Sequence, residues 1–108
     1  MAKQKVPPCP HGQIIGLYHE TLPELPGVIE SRWQGSKREK DLKTRWKEDE
    51  RHRDLEFWRW LFKSMRANRF WLGDNDRGWR ADLGWIVKRT NFDKVLDHAV
   101  NQRQAVAR

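Results

Sequence analysis

Several things that help classify a protein are scarce in this chain. There is one cysteine, Cys9, in 108 residues. A single thiol excludes an internal disulfide and leads us to expect a reducing, cytoplasmic setting. Long apolar runs are missing; stretches such as residues 85–87 fall far short of the roughly 20 residues a membrane helix needs. Met1-Ala2-Lys3-Gln4-Lys5 leads into prolines instead of an apolar stretch, so no signal peptide is expected. The length allows one small domain and leaves no room for an enzyme with separate substrate and cofactor halves.

The motifs of catalysis are also missing. There is no Gly-x-Gly-x-x-Gly, no Walker loop and no nucleophile elbow. Cys9, His11, His19, His52 and His98 are the soft or borderline metal ligands. Cys9-x-His11 is not a zinc spacing, and no CxxC or HxxxH pair completes it. Cys9 stands between prolines without a partner base, and Glu20 and Glu24 near His19 form no specific constellation. No metal, no cofactor and no catalytic residue is therefore expected, and the chain reads as a non-enzyme.

Positive charge and tryptophan are abundant. Lys and Arg number 22 against 15 Asp and Glu, giving a net charge of +7 and a pI near 10.0. Such a balance favours a polyanionic partner or an acidic protein surface. The cations are spread evenly, eleven against eight acids up to residue 53 and eleven against seven after it. That suits non-specific phosphate contacts. With no zinc finger, RNP motif, leucine zipper or clear helix-turn-helix, base-specific reading is not expected. Each of the seven tryptophans can bury about 150–250 Å². Most should fill the core of so short a chain, leaving one or two as surface anchors.

Periodicity predicts an all-α, single-domain bundle of about five helices. Residues 1–10, with three prolines in Val6-Pro7-Pro8-Cys9-Pro10, read as a tail or linker stub. Residues 11–100 form the helical domain. Ile14, Ile15, Tyr18 and Leu22 share a face of a first short helix, which Pro23 and Pro26 stop. Val28 and Ile29 lead into a polar turn around Gln34-Gly35. Ser36-Lys37-Arg38-Glu39 has the capping-box pattern and opens a helix over 37–53 with Leu42 and Trp46 inward. Lys40, Lys43, Lys47 and Arg51 form a stripe on another face of it. Asp54 caps the next helix, to about Asn68, whose apolar face is Leu55, Trp58, Leu61, Phe62 and Met65. Trp60 falls nearly opposite, beside Arg59 and Lys63. It either faces outward or packs against residues 69–79.

Residues 69–80 hold turn chemistry between aromatics, an aromatic-pinned Gly/Asp loop compatible with a short hairpin. A short helix over 81–87 follows, with Leu83, Trp85 and Ile86 inward and Lys88-Arg89 at its negative pole. Thr90 or Asn91 caps a last helix carrying Phe92, Val95, Leu96 and Ala99. Residues 101–108 lack a strong apolar pattern and read as a frayed tail.

Two stretches also resemble a known family. One is Cys9-Pro10-His11…Ile14-Ile15…Leu17-Tyr18-His19-Glu20…Leu22-Pro23…Leu25-Pro26. The other is Phe70-Trp71-Leu72-Gly73…Gly78-Trp79-Arg80-Ala81-Asp82-Leu83…Trp85-Ile86-Val87-Lys88…Asn91-Phe92…Lys94-Val95-Leu96. Both resemble the C-terminal module of phage and prophage replication proteins, in the O-type initiator and helicase-loader group. Arg45-Trp46, Trp58 and Phe62 match more loosely, and together these cover nearly the whole chain from residue 9. In that family a winged-helix or helix-turn-helix domain associated with origin DNA precedes a Pro/Ser-rich linker. The C-terminal part is associated with the replicative helicase or single strands. Only the C-terminal match is present here, so origin recognition is not implied. The chain reads as an excised C-terminal domain or a stand-alone relative. Asp97-His98-Ala99 replaces the family's Gly-Tyr-like ending. The matched Trp79, Trp85 and Phe92 read as core.

The resemblance and the charge together imply a DNA-replication accessory module. It recruits or helps load a replicative helicase and touches single-stranded DNA non-specifically. The alternative is a protein-interaction domain without nucleic-acid contact. The expected nucleic-acid contacts are Lys40, Lys43, Lys47, Arg51, Arg59, Lys63, Lys88 and Arg89; the expected partner contacts are Trp60 and Phe57.

Overall fold

Helices carry all the regular structure of the computed structural model, which describes residues 6–107 and their side chains through Arg103. The all-α expectation holds. The described residues form six α-helices and two 3₁₀ turns, with no strand among them.

Helix α1 (His11–Thr21) starts directly after Pro10 and buries Ile14, Ile15, Leu17 and Tyr18. Pro23 ends it, and the chain folds back over its own helix. The Tyr18 hydroxyl donates to the Pro26 carbonyl at 2.6 Å, and the Val28 amide donates to His19 Nε2 at 2.9 Å. A single turn, α2 (Glu30–Trp33), replaces the plain polar loop read from the sequence. Its one buried side chain is Trp33, too little for a periodic signal.

Helix α3 (Lys37–Glu48) is capped by Ser36, whose hydroxyl accepts from the Glu39 amide at 3.2 Å. The reciprocal half of the box is displaced by one residue. The Glu39 carboxylate accepts from the Gly35 amide at 3.2 Å, because the Ser36 amide already donates to Trp33. The helix stops at Glu48 instead of 53. Asp49 is extended and its carboxylate accepts from the Arg51 amide at 2.9 Å, opening a 3₁₀ turn over Glu50–His52. Arg53 donates to the Lys47 carbonyl at 2.7 Å, satisfying a group at the helix end.

Asp54 caps α4 (Leu55–Met65) by accepting from the Glu56 amide at 3.0 Å. Trp58, Leu61, Phe62 and Met65 form its buried face at spacings of three, one and three. A 3₁₀ turn over Arg69–Leu72 follows, and residues 73–82 make an irregular loop where a hairpin was conceivable. Asp82 accepts from the Trp85 amide at 2.8 Å and caps α5 (Leu83–Val87).

The last helix, α6 (Arg89–Ala107), begins before Thr90 and Asn91, with Lys88 alone between it and α5. It continues through residues 101–107, where the sequence suggested fraying.

α4 lies at the centre, packed against α1 on one side and α6 on the other, while α5 ties α3 to α6. The aromatic interior fills these seams. Tyr18 meets Phe62 edge-on at 5.8 Å, and Trp58 lies 5.7 Å from Phe92. Trp58 satisfies its indole N–H on the His52 carbonyl at 2.8 Å. Residues 6–10 are held instead of trailing free: Trp46 donates to the Pro7 carbonyl at 2.8 Å, and Cys9 packs half-buried on the core. No helix among the described residues is long and apolar enough to cross a membrane.

Candidate functional site

The expected α3 stripe is only partly formed. Lys40, Lys43 and Lys47 are exposed along one helix face and have no carboxylate partner among the described residues. Arg51 is exposed but does not continue that face, because α3 has ended before it. Its guanidinium turns back on Asp49 at 2.7 Å. That pairing holds the Asp49 carboxyl well below the usual carboxylate range. Lys43 lies near Cys9 and His11. Its charge does not activate the thiol, since burial pushes Cys9 up to about 12 and outweighs the lysine.

The second expected set converges on a trough between α4 and α6. Trp60 is half-buried there. It packs partly on the core, between side chains of α4 and α6. It divides two adjoining hollows of about 460 Å³ each, both bordered by Glu56 and Arg103. Arg59, Lys63 and Ala99 line one; Phe57, Leu96 and Val100 line the other, with Arg51 at its edge. Phe57 and Trp60 stand 5.8 Å apart. Phe57 also stacks on the buried His52 ring at 4.6 Å, and His52 Nδ1 lies 2.7 Å from the Arg45 carbonyl. The floor is thus fixed from below by packing and a hydrogen bond.

The trough's charge is positive but partly committed. Arg59 lies 3.6 Å from Glu56 and 3.9 Å from Glu20. Lys63 and Arg103 have no carboxylate within salt-bridge distance among the described residues. Lys88 and Arg89 are exposed at the junction of α5 and α6. Arg89 reaches a third hollow, of about 270 Å³, which shares His52 and Leu96 with the trough. Glu48, Asp49 and Asp93 stand there too, so the cationic character fades toward that end. Lys88 precedes α6 and Arg89 opens it, at the positive pole where a cation is disfavoured, although both also follow the negative pole of α5.

The protein therefore brings Phe57, Trp60, Arg59, Lys63 and Arg51 around one apolar channel and leaves Lys40, Lys43 and Lys47 on α3. No protein-family model, curated protein or solved structure matches this chain. An apolar floor with a cationic border has the chemistry to receive an amphipathic helix bearing acidic residues.

Two features of the surface were not legible beforehand. Val100 and Arg103 complete the trough because α6 extends beyond residue 100. The three aromatics read as core also divide: Phe92 is buried, Trp85 half-buried and Trp79 exposed. Trp79 is paired with an exposed Phe70 across the Gly/Asp loop. The available signal was the turn chemistry between them, which sets flanking aromatics at a loop mouth.

Proposed function

We propose that this chain is a phage-type DNA-replication accessory module, acting in the cytoplasm, that recruits or helps load a replicative helicase and holds single-stranded DNA non-specifically. The observation that carries this reading is the trough. Phe57, Trp60, Leu96 and Val100 offer an apolar floor, and Arg59, Lys63 and Arg103 stand at its edge. An acidic amphipathic helix of the helicase fits that chemistry, its apolar stripe on the tryptophan and its carboxylates on the rim. Lys40, Lys43 and Lys47, exposed and without a carboxylate partner among the described residues, support a separate polyanion contact. The family resemblance of residues 9–26 and 70–96 supplies the replication context.

The two surfaces make the reading separable by experiment. Purified host helicase should be captured by the wild-type protein and lost with Trp60→Ala combined with Lys63→Glu and Arg103→Glu. Changing Lys40, Lys43 and Lys47 together to Glu should leave that capture intact and weaken binding of a fluorescent single strand at low salt. Capture without any strand binding by the wild type would favour a protein-interaction domain that never meets nucleic acid. Failure of both assays would overturn the proposal.

A further inference from the structure

The loop over residues 73–80 is built to hold two large rings in water. Phe70 is 57% exposed and Trp79 38% exposed, with centroids 6.0 Å apart and planes inclined at 46°. The mouth they form is fixed by Asn75. Its Nδ2 donates to the Phe70 carbonyl at 3.0 Å and the Trp79 carbonyl at 2.7 Å, and its Oδ1 accepts from the amides of Arg77 and Trp79. Gly73, at φ +108°, lets the chain turn where a Cβ would meet the Arg80 side chain at 2.9 Å. Behind the pair, Trp79 meets Trp85 edge-on at 5.3 Å, and Trp85 lies 5.9 Å from Trp71. The exposed rings are thus the outer end of an aromatic chain rooted in the core.

A hollow of about 420 Å³ opens beside them, lined by Phe70, Trp79, Asn75, Asp76 and Arg77. Arg69 is paired with Asp74 at 3.1 Å. Arg77 is exposed and has no carboxylate within salt-bridge distance among the described residues. We infer that this mouth is a stacking site for the unpaired bases of single-stranded DNA, with Arg77 beside the adjoining phosphate. Ring faces accept any base. Arg77 complements the backbone charge, and Asp76 disfavours a phosphate inside the hollow itself, which leaves that space to the base.

This inference rests on the proposed contact with single strands, and one comparison separates the two. A fluorescent twelve-residue thymidine strand and a strand of equal length and charge carrying abasic residues are titrated at low salt. The wild-type protein should bind the thymidine strand roughly tenfold more tightly, in line with the usual contribution of one stacked base. Phe70→Ala, at the more exposed position, should reduce that ratio to about one without changing the circular dichroism. Trp79→Leu should do the same. Equal, salt-sensitive binding of both strands by the wild type would overturn the stacking site and leave the single-strand reading standing. Binding of neither strand would remove both. Loss of helicase capture in Phe70→Ala, with strand binding unchanged, would reassign the mouth to a protein contact and overturn the inference.

Discussion

Asn75 makes four hydrogen bonds with one amide group, so its chemistry is testable by the smallest change. In Asn75→Asp the two backbone carbonyls lose their donor and face a carboxylate. We expect a loss of about 1–3 kcal/mol in stability, read from urea unfolding, and a red shift in tryptophan emission as Trp79 loosens. The half-buried His98 gives a pH signature. Burial against Trp71, 5.1 Å away, lowers its pKa, and burial lowers that of His11 likewise. Below the ordinary histidine value of about 6.5 the unfolded chain takes up protons that the fold disfavours, so stability falls as pH falls. The urea midpoint should drop from pH 7.5 to 5.5, and His11→Gln with His98→Gln should flatten that drop. Little of this was readable beforehand. His98 is an ordinary polar residue until α6 lays it on Trp71, and Asn75 is one of several turn residues until the loop closes around it.

Local chemistry made the helix starts at Ser36 and Asp54 legible, whereas Asp82 was read inside its helix and α6 starts before the expected Thr90 or Asn91. Ser36, Asp54 and Asp82 are short polar side chains that accept from amides in the first turn of their helices. Ser36→Ala should cost about 1 kcal/mol, measured by urea or thermal unfolding. Helix ends were harder, because the decisive contacts cross elements. Asp49 ends α3 by capping the next turn, while Arg53 returns to the Lys47 carbonyl. The pattern that gave Leu42 and Trp46 inward was correct, yet the stripe drawn through Arg51 needed a helix that had already ended. Similarly, Trp60 lies off the main apolar face of α4. Only the packing of α6 shows which neighbours it has.

At the scale of the whole molecule, charge and aromatic surface are distributed over distinct regions. The even spread of cations along the chain becomes, in three dimensions, an exposed lysine row on α3 and a border along the α4 and α6 trough. The all-α class followed directly from helical periodicity. The trough did not, since Phe57 and Val100 are 43 residues apart and meet only through the packing of two helices. The most direct test of the account is the salt dependence of single-strand binding. For a thymidine strand, the logarithm of the association constant should fall linearly with the logarithm of salt concentration. Each phosphate that a cation neutralises on a single strand adds roughly 0.7 to the steepness of that line. Changing Lys40, Lys43 and Lys47 together to Glu should therefore make the slope shallower by at least about 2. An unchanged slope in that variant, or no association of the wild-type protein even at low salt, would contradict the account.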